Sequence, residues 1–293
     1  MTRINKVVEL LEQRQPAYFE FVDGFSAGAY EGGRALAQTW ADYITYDVEH
    51  SAFDMPALVQ FMRGLADGGP TKSGHRTPAV IVTLPFDGTD AQSVRANSWM
   101  IKQVLATGVH GLLLCHVEAA EAVQAFVEAA RYSFRSSVDS RLGAGRRGHG
   151  GQNLAAEIWG VTVDEYFACA DPWPLNPHGE LLLGIKVENT RALDRVEQTT
   201  RVPGLAFAEW GPGDMGMSMG YPNQHDEPYP PEMQAARRRI MTACKTAGLA
   251  FLEQVSPENV TSRIAEGVMI GCGPRAREAA EIGRRHTGRT LGW

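Results

Sequence analysis

Cysteine is scarce in this chain. Its four thiols in 293 residues, Cys115, Cys169, Cys244 and Cys272, are scattered and form no CxxC pair. Such spacing excludes a disulfide framework and a structural zinc site, and it matches buried free thiols in a reducing compartment. Long apolar runs are also missing: none approaches the roughly 20 residues that span a bilayer. The N-terminal stretch carries charges through its apolar residues and shows no small-residue cleavage site, so no secretory signal is expected there. The expected location is the cytoplasm. Basic runs are absent, and 28 Lys and Arg against 34 Asp and Glu leave a net charge of −6. Neither nucleic acid nor a membrane is an expected partner. The chain has no HExxH, no GxSxG elbow, no P-loop, and no GxGxxG after a first strand. Those absences remove zinc-protease, serine-hydrolase and dinucleotide-binding readings.

Eight short apolar runs are present, at residues 17–22, 43–49, 79–84, 111–117, 181–188, 205–211, 249–255 and 268–273. Several are apolar on both faces, as parallel strands covered by helices are. Amphipathic segments lie between them, at 55–66, 94–106, 119–131, 190–200, 233–247 and 258–266. Eight strands with intervening helices predict one closed (β/α)8 TIM barrel over residues 1–293, with an open doubly wound sheet as the alternative. Residues 133–180 are too long for an ordinary loop and read as an insertion before the fifth strand, at the active-site rim or a subunit interface.

Catalytic groups in such barrels sit at the carboxyl ends of strands. Two carboxylates do so here: Glu188 closes Leu181-Leu-Leu-Gly-Ile-Lys-Val-Glu188, and Asp214 follows Trp210-Gly-Pro-Gly. Converging carboxylates with room for water suit a hard divalent cation. Lys186 and Glu188, two apart on a strand, share a face; a rim ion pair is the plainer alternative to a catalytic role. In Tyr46-Asp47-Val48-Glu49-His50, a turn beginning at Glu49 swings His50 back toward Asp47, an acid–base pairing. A solvated strand end gives the same pattern. Gly213 lets backbone approach a ligand, and Arg147, in a glycine-rich stretch, suits a substrate carboxylate, a subunit contact or a solvated loop. Trp159, Tyr166, Trp173 and Trp210 are candidates to line a pocket for a bulky substrate. His75, His110, His178, His225 and His286 read as loop or surface residues, and His116 as structural.

Taken together, these pieces resemble the HpcH/HpaI family of metal-dependent pyruvate aldolases. The resemblance rests on Asp42-Tyr-Ile-Thr-Tyr-Asp47-Val-Glu-His50, Ile101 to Gly111, Ala129-Ala-Arg-Tyr132, Arg147-Gly-His-Gly150, Val187-Glu188-Asn-Thr-Arg-Ala192, and Val202 through Gly211-Pro-Gly-Asp214 to Gly220. It implies a barrel whose terminal helix is exchanged between subunits of a homo-oligomer, commonly a hexameric trimer of dimers. It also implies that Glu188 and Asp214 hold Mg²⁺ or Mn²⁺, with Co²⁺ and Zn²⁺ as alternatives, and that Asp47 and His50 handle the proton at the aldol hydroxyl. Gly213 and its neighbours meet the pyruvate carboxylate. Trp210 and Thr83 complete the expected substrate contacts.

Two departures stand out. The family's third strand carries arginine where this chain has Thr83, in Val80-Ile-Val-Thr83-Leu-Pro85, and its fifth strand carries glutamine where this chain has Lys186. A hydroxyl cannot replace a guanidinium, so Lys186 is expected either to supply the displaced charge or to form a Schiff base. The expected function is a divalent-metal-dependent aldolase or lyase acting on a 2-oxo acid and an aldehyde. A citrate-lyase-like enzyme that does not use pyruvate, or a non-catalytic metabolite-binding barrel, are the alternatives.

Overall fold

The described residues form nine parallel strands, eight of them on the apolar runs: β1 (Ala17–Asp23), β2 (Tyr43–Asp47), β3 (Ala79–Asp87), β4 (Gly111–Cys115), β5 (Pro172–Trp173), β6 (Leu181–Val187), β7 (Phe207–Trp210), β8 (Ala250–Gln254) and β9 (Val268–Cys272). In this computed structural model, which describes residues 3–136 and 139–291, β4 pairs with β6 and β1 with β9. Eight strands thereby close into a barrel, and the two-residue β5 hangs on the start of β6 outside the ring. Among the described residues no helix is long and apolar enough to cross a membrane.

Strand alternation grades the barrel interior from apolar to polar. Near the amino ends the inward side chains are Tyr43, Ile81, Leu113, Leu182, Phe207, Leu252 and Ile270, all buried. Helix Lys6–Glu12 plugs that end with Val7, Val8 and Leu10. Further along the strands stand Thr45, Thr83, Glu209, Gln254 and Cys272, with Asp47 in register with Thr83, Lys186 with Glu209, and Glu188 beyond Lys186. Polar groups are thus collected at the carboxyl end of the barrel.

Helices missing from the sequence reading have local causes. Ala29–Leu36 carries two adjacent glycines, an unfavourable helix composition. They permit close packing: a Cβ on Gly33 would lie 2.0 Å from the Phe61 carbonyl oxygen, and one on Gly64 2.0 Å from that of Tyr30. Of the two places expected for the 133–180 segment, the active-site rim is not the one its described residues take. Its helices Gln152–Trp159 and Val163–Cys169 pack toward the amino end of the barrel, where the Trp159 indole donates to the Gly108 carbonyl at 2.8 Å. None of its described residues lines the barrel mouth. His110, read as a surface residue, is buried and stacks on Trp159 at 5.4 Å, and burial pushes its pKa down to about 3. His75 is buried too.

The terminal helix Ala276–His286 packs on helix Val260–Glu266 and on β1 and β9. Asp42, wholly buried below β2, pins it. Asp42 meets Lys6 at 3.1 Å, Arg284 at 3.1 Å and Arg289 at 2.6 Å, and accepts the Tyr18 amide at 3.0 Å. Burial opposes its charge, but the three cations prevail and hold its pKa at about 2.

Candidate active site

A cavity of about 460 Å³ opens at the carboxyl ends of the strands. It brings together Asp47, His50, Thr83, Lys186, Glu188, Trp210, Gly213 and Asp214. Arg147 is not among its lining residues. That guanidinium is 3% exposed, donates to the Tyr132 and Tyr166 hydroxyls at 3.0 Å each, and stacks over the Tyr132 ring at 4.1 Å. Trp159, Tyr166 and Trp173 are likewise absent from the cavity wall.

β2 ends at Asp47, and the chain turns at once. Asp47 Oδ1 accepts the Glu49 amide at 3.1 Å and Oδ2 the His50 amide at 3.3 Å. The turn brings His50 Nδ1 to 3.1 Å from Asp47 Oδ2. Asp47 is 1% exposed whereas the His50 side chain is 65% exposed. A buried carboxylate therefore orients an imidazole whose other nitrogen faces the cavity and solvent, the arrangement an acid–base residue requires.

On β6, Ile185 and Val187 face the helices, which turns Lys186 and Glu188 inward. Lys186 Nζ lies 2.5 Å from Glu49 Oε2 and 3.7 Å from Glu188 Oε2, and Lys186 registers beside Glu209 of β7. Burial works against the ammonium, but Glu209, Glu188 and Glu49 outweigh it and hold Lys186 well above the ordinary lysine range. The same burial pushes Glu209 up from the usual carboxylate range.

Glu188 is 1% exposed. Its Oε1 accepts the His116 amide at 2.9 Å, and the chain turns there with His116 at a left-handed φ of 45°. Its Oε2 lies where a side chain on Gly211 would intrude, at 2.7 Å from a Cβ there. Gly211 precedes helix Pro212–Ser218, whose first turn carries Asp214. Burial, then Glu49, push Glu188 up to about 8 despite Lys186. Asp47, Glu49, Glu188, Glu209 and Asp214 thus crowd one mouth against a single lysine. Oxygen donors in such an excess of negative charge fit a hard divalent cation, which would restore Glu188 to its ionised form. Glu49, Cys115 and Glu188 also bring one potential ligand atom each within 4.8 Å of one another.

Glu49 and His116 belong to this site and were not selected from the sequence, and Glu209, for which an inward position near Asp214 was weighed against plain strand alternation, lines the cavity. Alternation on β7 was the available signal for Glu209, and for Glu49 it was its position two residues after Asp47. Nothing in the sequence marked the backbone role of His116.

Comparison with known proteins gives a consistent picture. The profile of the HpcH/HpaI aldolase/citrate lyase family matches residues 78–270. A hydroxypyruvate/pyruvate aldolase of Paraburkholderia phytofirmans is 26% identical over 225 residues, 77% of this chain and 74% of that one. A 2-keto-3-deoxy-L-rhamnonate aldolase of Klebsiella pneumoniae is 32% identical over 179 residues, 61% of each chain. The solved structure of an HpcH/HpaI aldolase/citrate lyase family protein from Burkholderia cenocepacia overlays 97% of this chain and 98% of that one, with a TM-score of 0.71 at 21% identity.

Proposed function

The chain belongs to the HpcH/HpaI aldolase/citrate lyase family, and on that premise we propose that it is a divalent-metal-dependent aldolase, a carbon–carbon lyase, with pyruvate or a close relative as its nucleophilic half. The observation that carries this reading is the buried Glu188 carboxylate, set beside the Gly211–Asp214 turn in a mouth with too many acids for its one lysine. Glu188 and Asp214 would hold Mg²⁺ or Mn²⁺. Bound there, the cation supplies Lewis-acid stabilisation as the 2-oxo group gains negative charge.

The chain's own residues supply the rest. In the cleavage direction, His50 Nε2 takes the proton of the substrate hydroxyl while Asp47 holds the ring by Nδ1. The carbon–carbon bond next to that hydroxyl carbon then breaks. Its electron pair stays with the 2-oxo acid fragment, the aldehyde departs, and a proton completes pyruvate. Gly213 leaves space and backbone for the carboxylate. The resemblance to the family supports assembly into a homo-oligomer.

Lys186 stands where its charge supports the 2-oxo oxygen in place of the arginine that Thr83 replaces. Lys186→Gln is expected to lower kcat by about 100-fold, the scale of losing one oxyanion donor. Adding Thr83→Arg to that variant restores most of the rate. If the double variant stays as slow as the single, the charge has not been relocated.

A protonated lysine is a poor Schiff-base nucleophile. Turnover should therefore be lost in EDTA and recovered with Mn²⁺, and borohydride with pyruvate should leave the mass of the chain unchanged. EDTA-resistant turnover with a pyruvyl adduct on Lys186 would replace the metal mechanism with an imine one.

A further inference from the structure

The upper rim of the mouth carries a feature that the catalytic groups leave unused. Of five large apolar side chains exposed among the described residues, two line this one cavity: Phe21 of β1, 59% exposed, and Met217 of helix Pro212–Ser218, 63% exposed. Isolated exposed hydrophobics are ordinary, but two at the entrance of one pocket form a surface that a ligand can cover. Phe21 is there by alternation: Phe19 and Phe21 point inward along β1 while Tyr18 and Val22 pack outward.

The charges around this rim point the same way. Among the described residues no arginine lines the cavity. Lys186 is already engaged by Glu49 and Glu188, and His225 Nδ1 sits 3.0 Å from Asp226. An anionic tail on the aldehyde would share the cavity with Asp47, Glu188 and Asp214, and the described walls offer it no lysine or arginine beyond the engaged Lys186.

Resting on the aldolase reading above, we propose that the aldehyde partner is uncharged and carries an apolar group of aromatic size, seated between Phe21 and Met217. In condensation, the methyl carbon of the keto acid gives up a proton and bonds to the aldehyde carbon, whose oxygen takes up a proton. In cleavage the same bond breaks with the proton movements reversed. The rim holds the tail and takes no part in these steps.

The test uses the Mn²⁺-loaded full chain with pyruvate and either hydrocinnamaldehyde or succinic semialdehyde, aliphatic aldehydes of similar reactivity that differ in tail charge. Deuterium uptake by pyruvate without any aldehyde reports separately on the aldolase reading. The expected result is a kcat/KM at least about 30-fold higher for hydrocinnamaldehyde, the scale of burying one phenyl group. Phe21→Ala should remove most of that advantage, and Met217→Lys should shift preference toward succinic semialdehyde. Deuterium uptake with equal or better use of succinic semialdehyde would overturn the inference and leave the aldolase reading standing. So would a preference that neither variant changes. Absence of deuterium uptake would overturn both.

Discussion

Glu188→Gln is expected to lower kcat by about a thousandfold or more and to remove most of the affinity for Mn²⁺. The substitution keeps the shape of the side chain and can keep the hydrogen bond from the His116 amide. It takes away the charge that would hold the cation. Several kcal/mol of transition-state stabilisation from a Lewis acid correspond to about this loss. The pH dependence follows from the same carboxyl. Without a cation, burial above all raises Glu188 to about 8. Below that pH the cation must displace a proton, so binding weakens as pH falls. Mn²⁺ affinity should drop by about tenfold per pH unit from about pH 8 to about pH 6, with one proton released per ion, and level off above pH 8. Mn²⁺ titrations at three pH values check this. An affinity independent of pH, or one unchanged in Glu188→Gln, would mean that the cation sits elsewhere.

Asp42→Asn is expected to destabilise the fold by about 3–5 kcal/mol, the usual cost of removing one member of a buried ion cluster. Lys6 and Arg289 are almost fully buried around Asp42 and lose their counter-charge when it is gone. The loss falls at the amino end of the barrel, far from the mouth, and loosens helices Lys6–Glu12 and Ala276–His286 together. Urea unfolding at neutral pH measures it. Because the single variant could fold poorly, Asp42→Asn with Lys6→Met provides a second reading: removing one of the stranded cations should recover about 1 kcal/mol or more. A cost below about 1 kcal/mol in the single variant would show that the cluster does not hold the terminal helix.

The barrel was legible because its strands are apolar on both faces and spaced by amphipathic segments. The catalytic end was legible where a charged residue ended an apolar run, as at Glu188, or followed one within a glycine-rich turn, as at Asp214. Asp47 and His50 could be paired because they stand three positions apart across a turn. Other features depended on contacts between distant parts of the chain. Arg147 has the composition of a substrate-binding arginine, and only the fold shows that the Tyr132 and Tyr166 hydroxyls engage it. Trp159 and Tyr166 were candidates for the pocket for the same reason, yet they pack on each other at 4.8 Å away from the mouth. Glu209 and Lys186 became neighbours once β6 and β7 were in register. Phe21 passed unnoticed because an aromatic in a strand reads as core until its exposure is known.

Metal-dependent enolisation is the central claim, and deuterium uptake into pyruvate reads it before any aldehyde partner is identified. The full chain is incubated with pyruvate in deuterated water with Mn²⁺, with EDTA, and as Glu188→Gln with Mn²⁺. Uptake into the methyl group with Mn²⁺, lost in EDTA and in Glu188→Gln, is the expected result. Protein that binds Mn²⁺ yet leaves pyruvate unlabelled would contradict the claim.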